Sequence, residues 1–560
     1  MKNINKKTVS DVLLDCLVSL KVKYIFGVPG DIQTDLWHSL KNRSDISFIA
    51  FKNEKSAAFA ADIYCRTSGR TRGEQRVEWH SAVCFSTVGP GMTNLVSAAA
   101  NATMDRSPLV CISDQVNSLG LDNETHQYIN SKKLFSQDTN VAKDSFILES
   151  ADSIVQTVLS AFNVAFEEKM GAVHISIPHE MWGKNCSSTP PKNYYKNFKN
   201  KIKIDSPNNK DISKAAKILN KTKSGLILTG GSINRSKSWY SFEKMVDHLN
   251  FPVFSTFRGK GCINSDHPLH IGTLSRHFEN VNKSIFSKVD TIVLVGYDYN
   301  EGVKPDIWSG IKNIINIDLK DNTVQNIFSP KNNIFGNLDE TFLSLCQLTE
   351  TSTNSVNINK IKKDIKNIIY GDIDHDSFPF RPTRIMEIIN STFKEDSIIV
   401  GDVGNNKYYS GLLYNPGKNS QIIFSNGQSS MAFSSGAIGA SFANPNKNII
   451  AISGDGGFLM NPQEIITAVK HNKYLIEIVF VDNAYGLVKS KQEKDFGVNK
   501  FHSSLTFQNP DYVSLAKSLG AKGYFINSMN NFLEILNKIK EQKSGVHLIA
   551  VPVEYGGGAI

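Results

Sequence analysis

The sequence has no run of about 20 apolar residues, the length that a bilayer-spanning helix needs. Its N-terminus is basic but lacks the long apolar segment of a secretory signal. It also has no CxxC pair. The seven cysteines are odd in number and dispersed, several of them inside apolar runs at 82–85 and 109–112, which points to reduced, buried thiols in a cytoplasmic protein. The formal net charge of +9 is spread over Lys/Asn-rich stretches such as 193–203 and 357–367 rather than gathered beside aromatics, so no nucleic-acid surface is read from it. With 40% hydrophobic and 21% charged residues the composition is that of a folded globular chain, which excludes wholesale disorder.

What is present is a recurrence of short β-branched runs separated by helix-length segments. They fall at 24–28, 82–87, 108–113, 173–177, 225–229, 291–295, 397–400, 448–452, 475–481 and 546–551. Apolar strands alternating with helices predict an α/β fold with doubly wound, mainly parallel sheets covered on both faces. There are too many strands for one sheet. Polar stretches at 186–206 and 350–382 read as linkers, giving three domains at 1–187, 207–350 and 383–560.

The segment 448–492 is the most informative. An apolar strand runs into Gly454-Asp455-Gly456-Gly457, and a second ends at Val481-Asp482-Asn483. Glycines at a strand end allow backbone N–H groups to approach a phosphate, and a following helix presents its positive end to the same anion. A carboxylate in that turn fits only if a hard cation lies between it and the phosphate. Mg²⁺ takes one or two carboxylates plus phosphate and water oxygens. As GDGG alone, the turn would be unremarkable.

The whole pattern, GDGGFLMN…QE…DNAYGL…KQ, resembles the thiamine-diphosphate enzyme family and within it the acetolactate synthase branch. The resemblance implies metal ligation by Asp455, by Asp482 at 27 residues' distance and by the carbonyl of Ala484, with Asn483 a neighbour. It further implies cofactor contacts from Gly404, Asn405 and Asn406 in GDVGNN, from Gln428, Ser429 and Met431 in SNGQSSM, and from Tyr485, Gly486 and Leu487. In the N-terminal region, 24–31, 52–66 and 89–94 resemble the family's pyrimidine-binding domain. Glu54, within NEKSAAFAADIYCR, would then be the acid beside the pyrimidine. It must hold and release a proton near neutral pH, a task that burial of a carboxyl favours.

The implied activity is that of a 2-oxo acid carboligase of acetolactate synthase type: decarboxylation of a 2-oxo acid such as pyruvate, then addition of the resulting fragment to an acceptor. Active sites shared across a homodimer or homotetramer are implied as well, with thiamine diphosphate and Mg²⁺ as cofactors and no nucleic-acid or membrane partner. Other features pull elsewhere. Val28-Pro29-Gly30-Asp31 is similar to simple 2-oxo acid decarboxylases, but their adjacent His pair is missing. Glu124–Asn130, with His126 and Gln127, is similar to catabolic acetolactate synthases and carboxyethylarginine synthase. The segments 295–308 and 551–555 look most like the latter. The chain lacks the Arg-Phe-Asp-Asp-Arg-type segment of FAD-containing relatives, which argues against FAD. Ser490 stands where acetolactate synthases commonly have Trp. Asp31, Gln127, Leu487, Val488, Lys491 and Gln492 are the expected determinants of substrate choice, with Asp31, Gln127 and His126 as catalytic candidates beside Glu54. The alternatives are a carboxyethylarginine-synthase-like enzyme or simple decarboxylase in specialised metabolism, and a non-catalytic cofactor-binding homologue.

Overall fold

The computed structural model describes residues 7–68, 81–121, 123, 125–275, 279–301, 311–321, 324, 328–352, 354–370 and 377–555. Glu124 and Pro305–Trp308, which carried part of the resemblance, lie outside the described residues.

The described strands form three six-stranded sheets. The first is built from β1 (Tyr24–Gly27), β2 (Ser47–Ala50), β3 (Val83–Ser86), β4 (Val110–Gln115), β5 (Asp144–Ile147) and β6 (Val173–Pro178). The second holds β7 (Gly225–Thr229), β8 (Val253–Ser255), β9 (His270–Thr273), β10 (Thr291–Val295), β11 (Asn313–Asp318) and β12 (Asn332–Phe335). The third holds β13 (Ser397–Gly401), β14 (Gln421–Phe424), β15 (Asn448–Gly454), β16 (Leu475–Val481), β17 (Lys522–Phe525) and β18 (Val546–Pro552). Pairings within all three are parallel, as in Ile25↔Val83, Val295↔Thr229 and Gly454↔Phe480.

The first and third sheets have the same order, β2-β1-β3-β4-β6-β5 and β14-β13-β15-β16-β18-β17. The second, β12-β11-β10-β7-β8-β9, has the 3-2-1-4-5-6 order of doubly wound dinucleotide folds. In such sheets the strand order reverses at one point, and loops at the strands' carboxyl ends there form a crevice. Both linker stretches contain a helix: Tyr194–Lys201, with Tyr194 and Phe198 buried in the first domain's core, and Ile358–Tyr370.

One core unites two domains. Phe26, Ala57, Ala60 and Ile63 from the first domain share a buried cluster with Ile398, Phe433, Ala437 and Val479 from the third. The contact is made by the helices Glu54–Thr67 and Ala437–Ala443. Gly439 lies so close to the Ala60 carbonyl that a Cβ would overlap it, and a Cβ on Gly436 would come within 2.7 Å of Ile63 Cγ1. Alanines on one helix and glycines on the other let the backbones meet. Asn444 Nδ2 closes the junction by donating to the Thr67 carbonyl at 3.1 Å.

Candidate functional site

Glu54 opens its helix because Asn53 caps it, the Asn53 side chain accepting from the Lys55 N–H. The Glu54 side chain is buried, and its Oε2 accepts from Asn94 Nδ2 at 2.9 Å. Against Oε1 lies Gly91, whose added Cβ would come within 3.2 Å. The 89–94 turn thus supplies both a donor and close backbone approach. Gly89, at φ +59°, is pressed against Gln127, where a Cβ would come within 2.8 Å of the Gln127 Cβ. Gln127 itself has φ +60° and is exposed, as is His126.

Asp31 is exposed on the turn after β1. Beneath that turn Gln33 is buried. Its Oε1 accepts from the Gly30 N–H at 3.3 Å, and its Nε2 donates to Asp114 Oδ2 at 2.6 Å. Asp114 also accepts from Trp182 Nε1 at 2.8 Å, and burial pushes its carboxyl up to about 7. Thr87 packs between Gly30 and Gly91. The structure therefore brings Glu54, Asp31 and Gln127 to loops at one carboxyl edge of the first sheet, with His126 beside Gln127.

In the third domain β15 and β16 are neighbours, so Asp455 and Asp482 follow adjacent strand ends. Asp455 is buried and begins a short helix. Its Oδ1 accepts from the Gly456 N–H at 2.8 Å, and its Oδ2 accepts from the Asn483 N–H and Asn509 Nδ2, both at 2.7 Å. Both carboxyls are pushed above the ordinary range. Burial is the main cause for each, and the Asp455 charge adds to it at Asp482. Two carboxylates side by side in a partly buried turn are unfavourable alone and favourable around a dication.

Gly486 packs on Asp482, where a Cβ would overlap the carboxylate. Ala484 is buried and bridges to Thr506, while Tyr485 packs on Phe507 with ring centroids 5.2 Å apart. The Tyr485 ring also covers Gly456, where a Cβ would come within 2.9 Å of it. Asn483, at φ +55°, uses its N–H on Asp455 and its Oδ1 to accept from Asn509 Nδ2.

The second loop, after β13, faces the first. Gly404, at φ +130°, precedes Asn405, whose Nδ2 donates to Ser490 Oγ at 3.4 Å. Asn406 is buried, its Nδ2 donating to the Asp402 and Ile452 carbonyls, so it frames the loop. Asp402 is wholly buried and pushed up to about 6 by burial. It accepts from the Val403, Ala432 and Phe433 N–H groups, and a Cβ on Gly457 would press on it. Gln428 and Ser429 are exposed, Ser429 at φ +47°, and Met431 is half-buried. Asn426 Nδ2 is buried with no partner among the described residues. The glycine-lined turns and the paired carboxylates fit a bound diphosphate with a divalent cation.

Sequence reasoning missed Asn94, Asn509 and Glu464 as site residues. Asn94 lay inside the Gly89–Asn94 turn that was singled out, but its amide's target depends on the fold. Glu464 accepts from the Lys52 N–H at 3.1 Å, so a third-domain carboxylate holds the chain just before Glu54. Glu464 is the acid of the QE in the quoted pattern, but neither its contact with Lys52 nor the role of Asn509 is announced there.

Comparison with known proteins gives three successive matches. Residues 7–134 match the thiamine pyrophosphate enzyme N-terminal TPP binding domain, 212–345 the central domain, and 402–551 the C-terminal TPP binding domain. A probable acetolactate synthase large subunit of Methanococcus aeolicus is 29% identical over 553 residues, covering 94% of this chain and 89% of that protein. One from Methanocaldococcus jannaschii is 29% identical over 556 residues, covering 95% and 89%. The acetolactate synthase of Bacillus subtilis is 24% identical over 567 residues, covering 99% and 94%.

Proposed function

Because this chain belongs to the thiamine pyrophosphate enzyme family, we propose that it is a thiamine-diphosphate- and Mg²⁺-dependent carboligase of acetolactate synthase type. It would decarboxylate a 2-oxo acid such as pyruvate and pass the fragment to an acceptor. The observation that carries this reading is that one chain holds both a buried Glu54 fixed by Asn94 and the Asp455/Asp482 turn. The chemistry supplied by bound thiamine diphosphate is addition to a carbonyl and storage of the electron pair released with CO₂.

In this reading Asp455, Asp482 and the Ala484 carbonyl hold the metal. Gly404–Asn406 and Gly454–Gly457 receive the diphosphate, with Tyr485, Gly486 and Leu487 closing that side. Gln428, Ser429 and Met431 support the rings. Glu54 holds and moves a proton at the pyrimidine nitrogen, while Asn94 and Gly91 orient it. Asp31, Gln127 and His126 face the substrate. The domains are taken as 1–187, 207–350 and 383–560, the assembly as a homodimer or homotetramer, and the location as cytoplasmic. Exposed Phe496 and Val498 support a partner subunit, and no described helix is long and apolar enough to cross a membrane. Flavin is disfavoured by the Glu301 carboxylate, which already accepts from the Gly231 N–H at 3.0 Å where a dinucleotide phosphate binds in folds of this strand order.

One observation favours a second reading. Ser490, where acetolactate synthases commonly have Trp, accepts from Asn405 in the diphosphate loop, so the larger ring is missing beside the proposed cofactor site. A carboxyethylarginine-synthase-like or decarboxylating enzyme would use that position differently. A non-catalytic homologue would not need the buried, hydrogen-bonded Glu54. The test is incubation with pyruvate, thiamine diphosphate and Mg²⁺, alone and with candidate acceptors, following CO₂ and ligated products. Ligated product supports the first reading and CO₂ with free aldehyde supports decarboxylation. Absence of CO₂ from every 2-oxo acid tried would discard 2-oxo acid carboligation and decarboxylation alike, and leave the carboxyethylarginine-synthase-like enzyme, which takes a triose phosphate and releases no CO₂.

A further inference from the structure

The loop Ser425–Met431 is not held by its own domain alone. Its first N–H groups point at Asp105 of the first domain: Gly427 N–H donates to Oδ1 at 2.8 Å and Asn426 N–H to Oδ2 at 3.2 Å. Ser425 Oγ donates to Asn101 Oδ1 at 2.6 Å. Gly427 approaches Met104 so closely that a Cβ would overlap the Met104 side chain.

Asp105 is buried beside Arg66, both of whose terminal nitrogens reach Oδ2 at 3.2 Å. Charge balance does not require this contact. Arg66 already has a bidentate partner in Asp62, with two bonds of 2.8 Å. The trio therefore carries one carboxylate in excess, and the loop N–H groups are what stabilise it. The central domain grips the same short stretch from the other side. Arg258 Nη2 donates to the Asp105 carbonyl at 2.7 Å, Asn300 Nδ2 donates to the Met104 carbonyl, and Arg106 pairs with Asp298 at 2.7 Å.

We propose that Asp105 is a positioning residue that sets the 425–431 loop for the cofactor rings, with Arg258 bracing it from the central domain. All three domains then act on one loop, and the central domain contributes to cofactor geometry without touching the cofactor. The inference rests on the reading above that residues 425–431 support the cofactor.

The experiment uses the full chain with Asp105→Asn, Arg258→Met and, as a control in the same ion cluster that reaches the loop only through Asn101, Asp62→Asn. Two quantities are read: amide hydrogen exchange at 426–427 in the cofactor-free protein, and thiamine diphosphate affinity at saturating Mg²⁺ by calorimetry. Asp105→Asn should raise exchange at these amides by about tenfold or more and weaken the cofactor by about 10–100-fold. Arg258→Met should move both in the same direction by a smaller factor, and serves alone if Asp105→Asn does not fold. Asp62→Asn should lower thermal stability without singling out 426–427. Wild-type exchange at 426–427 in a folded Asp105→Asn or Arg258→Met chain would overturn the proposal alone. Faster exchange with unchanged affinity would overturn the cofactor reading of the loop, and the proposal with it.

Discussion

Two helices flank the candidate site and differ in nearly every respect. The Glu54–Thr67 helix buries 12 of its 14 residues and begins on the carboxyl group assigned to proton handling. The Gly486–Phe496 helix buries none of its 11 residues and follows directly on Asp482 and Ala484. Packing over-determines the first, through Gly436 and Gly439 behind it and Glu464 ahead of it. The second is held by surface contacts to the 497–507 loop: Tyr485 donates its N–H to the Leu505 carbonyl, its ring meets Phe507, and Gln492 Oε1 accepts from the His502 N–H at 2.9 Å. The lesson concerns where chemistry and selectivity reside. A proton-transfer group needs fixed geometry, and the proposed role of Glu54 places it on the rigid helix. The side chains proposed to choose a substrate stand on a helix with no buried residue, where a change of side chain disturbs no core.

The contrast is broken most severely at its rigid end. Glu54→Gln should reduce turnover by about a hundredfold or more, the usual worth of a positioned acid–base group, while calorimetric binding of thiamine diphosphate with Mg²⁺ stays close to wild type. Near-normal turnover would remove Glu54 from its role. Gly439→Val, which drives a side chain into the Ala60 carbonyl, should cost about 3 kcal/mol or more as an overpacked core site. It should be read as a lower Tm or as insoluble protein. On the exposed helix, Val488→Ala, Lys491→Ala and Gln492→Ala should each change stability by no more than about 0.5 kcal/mol. Their effect should appear as a shift of up to about tenfold in acceptor preference, measured as product ratio. A large Tm loss from any of them would erase the distinction between the helices.

A separate expected effect concerns pH. Glu477 on β16 is buried, and burial pushes it up to about 8 from 4.5, against the Ser453 hydroxyl that donates to it. Between those values the folded chain keeps a proton that the unfolded chain has released. Stability therefore falls as pH rises through this window. Glu477→Gln should flatten that fall, seen as a Tm advantage at pH 8 that vanishes at pH 4.5. An unchanged slope of Tm against pH would assign the dependence to other groups.

Ten strands were legible in the sequence, because each is apolar on both faces at the middle of a covered sheet. The six edge strands, β2, β5, β9, β12, β14 and β17, were not. An edge strand has one unpaired side and more solvent, so Lys522–Phe525 or Asn332–Phe335 reads as loop. Interior β8 and β11 escaped for other reasons: one has three residues, and the other interleaves Asn with Ile. In the site, the glycines and carboxylates of the turns were visible because their chemistry restricts residue type. Asn94, Asn509, Glu464 and Asp105 were not. Each acts on a group distant in the chain, and an amide or carboxylate at such a position has no spacing to betray it.

The helix junction also bears on how the chain is made. Asn444 reaches Thr67 across 377 residues, so the alanine face of the Glu54 helix has no cover until the third domain has emerged. At about 5–20 residues per second of synthesis that face waits for roughly 20–75 s on the ribosome. During this interval it is an apolar surface open to chaperones and to neighbouring nascent chains.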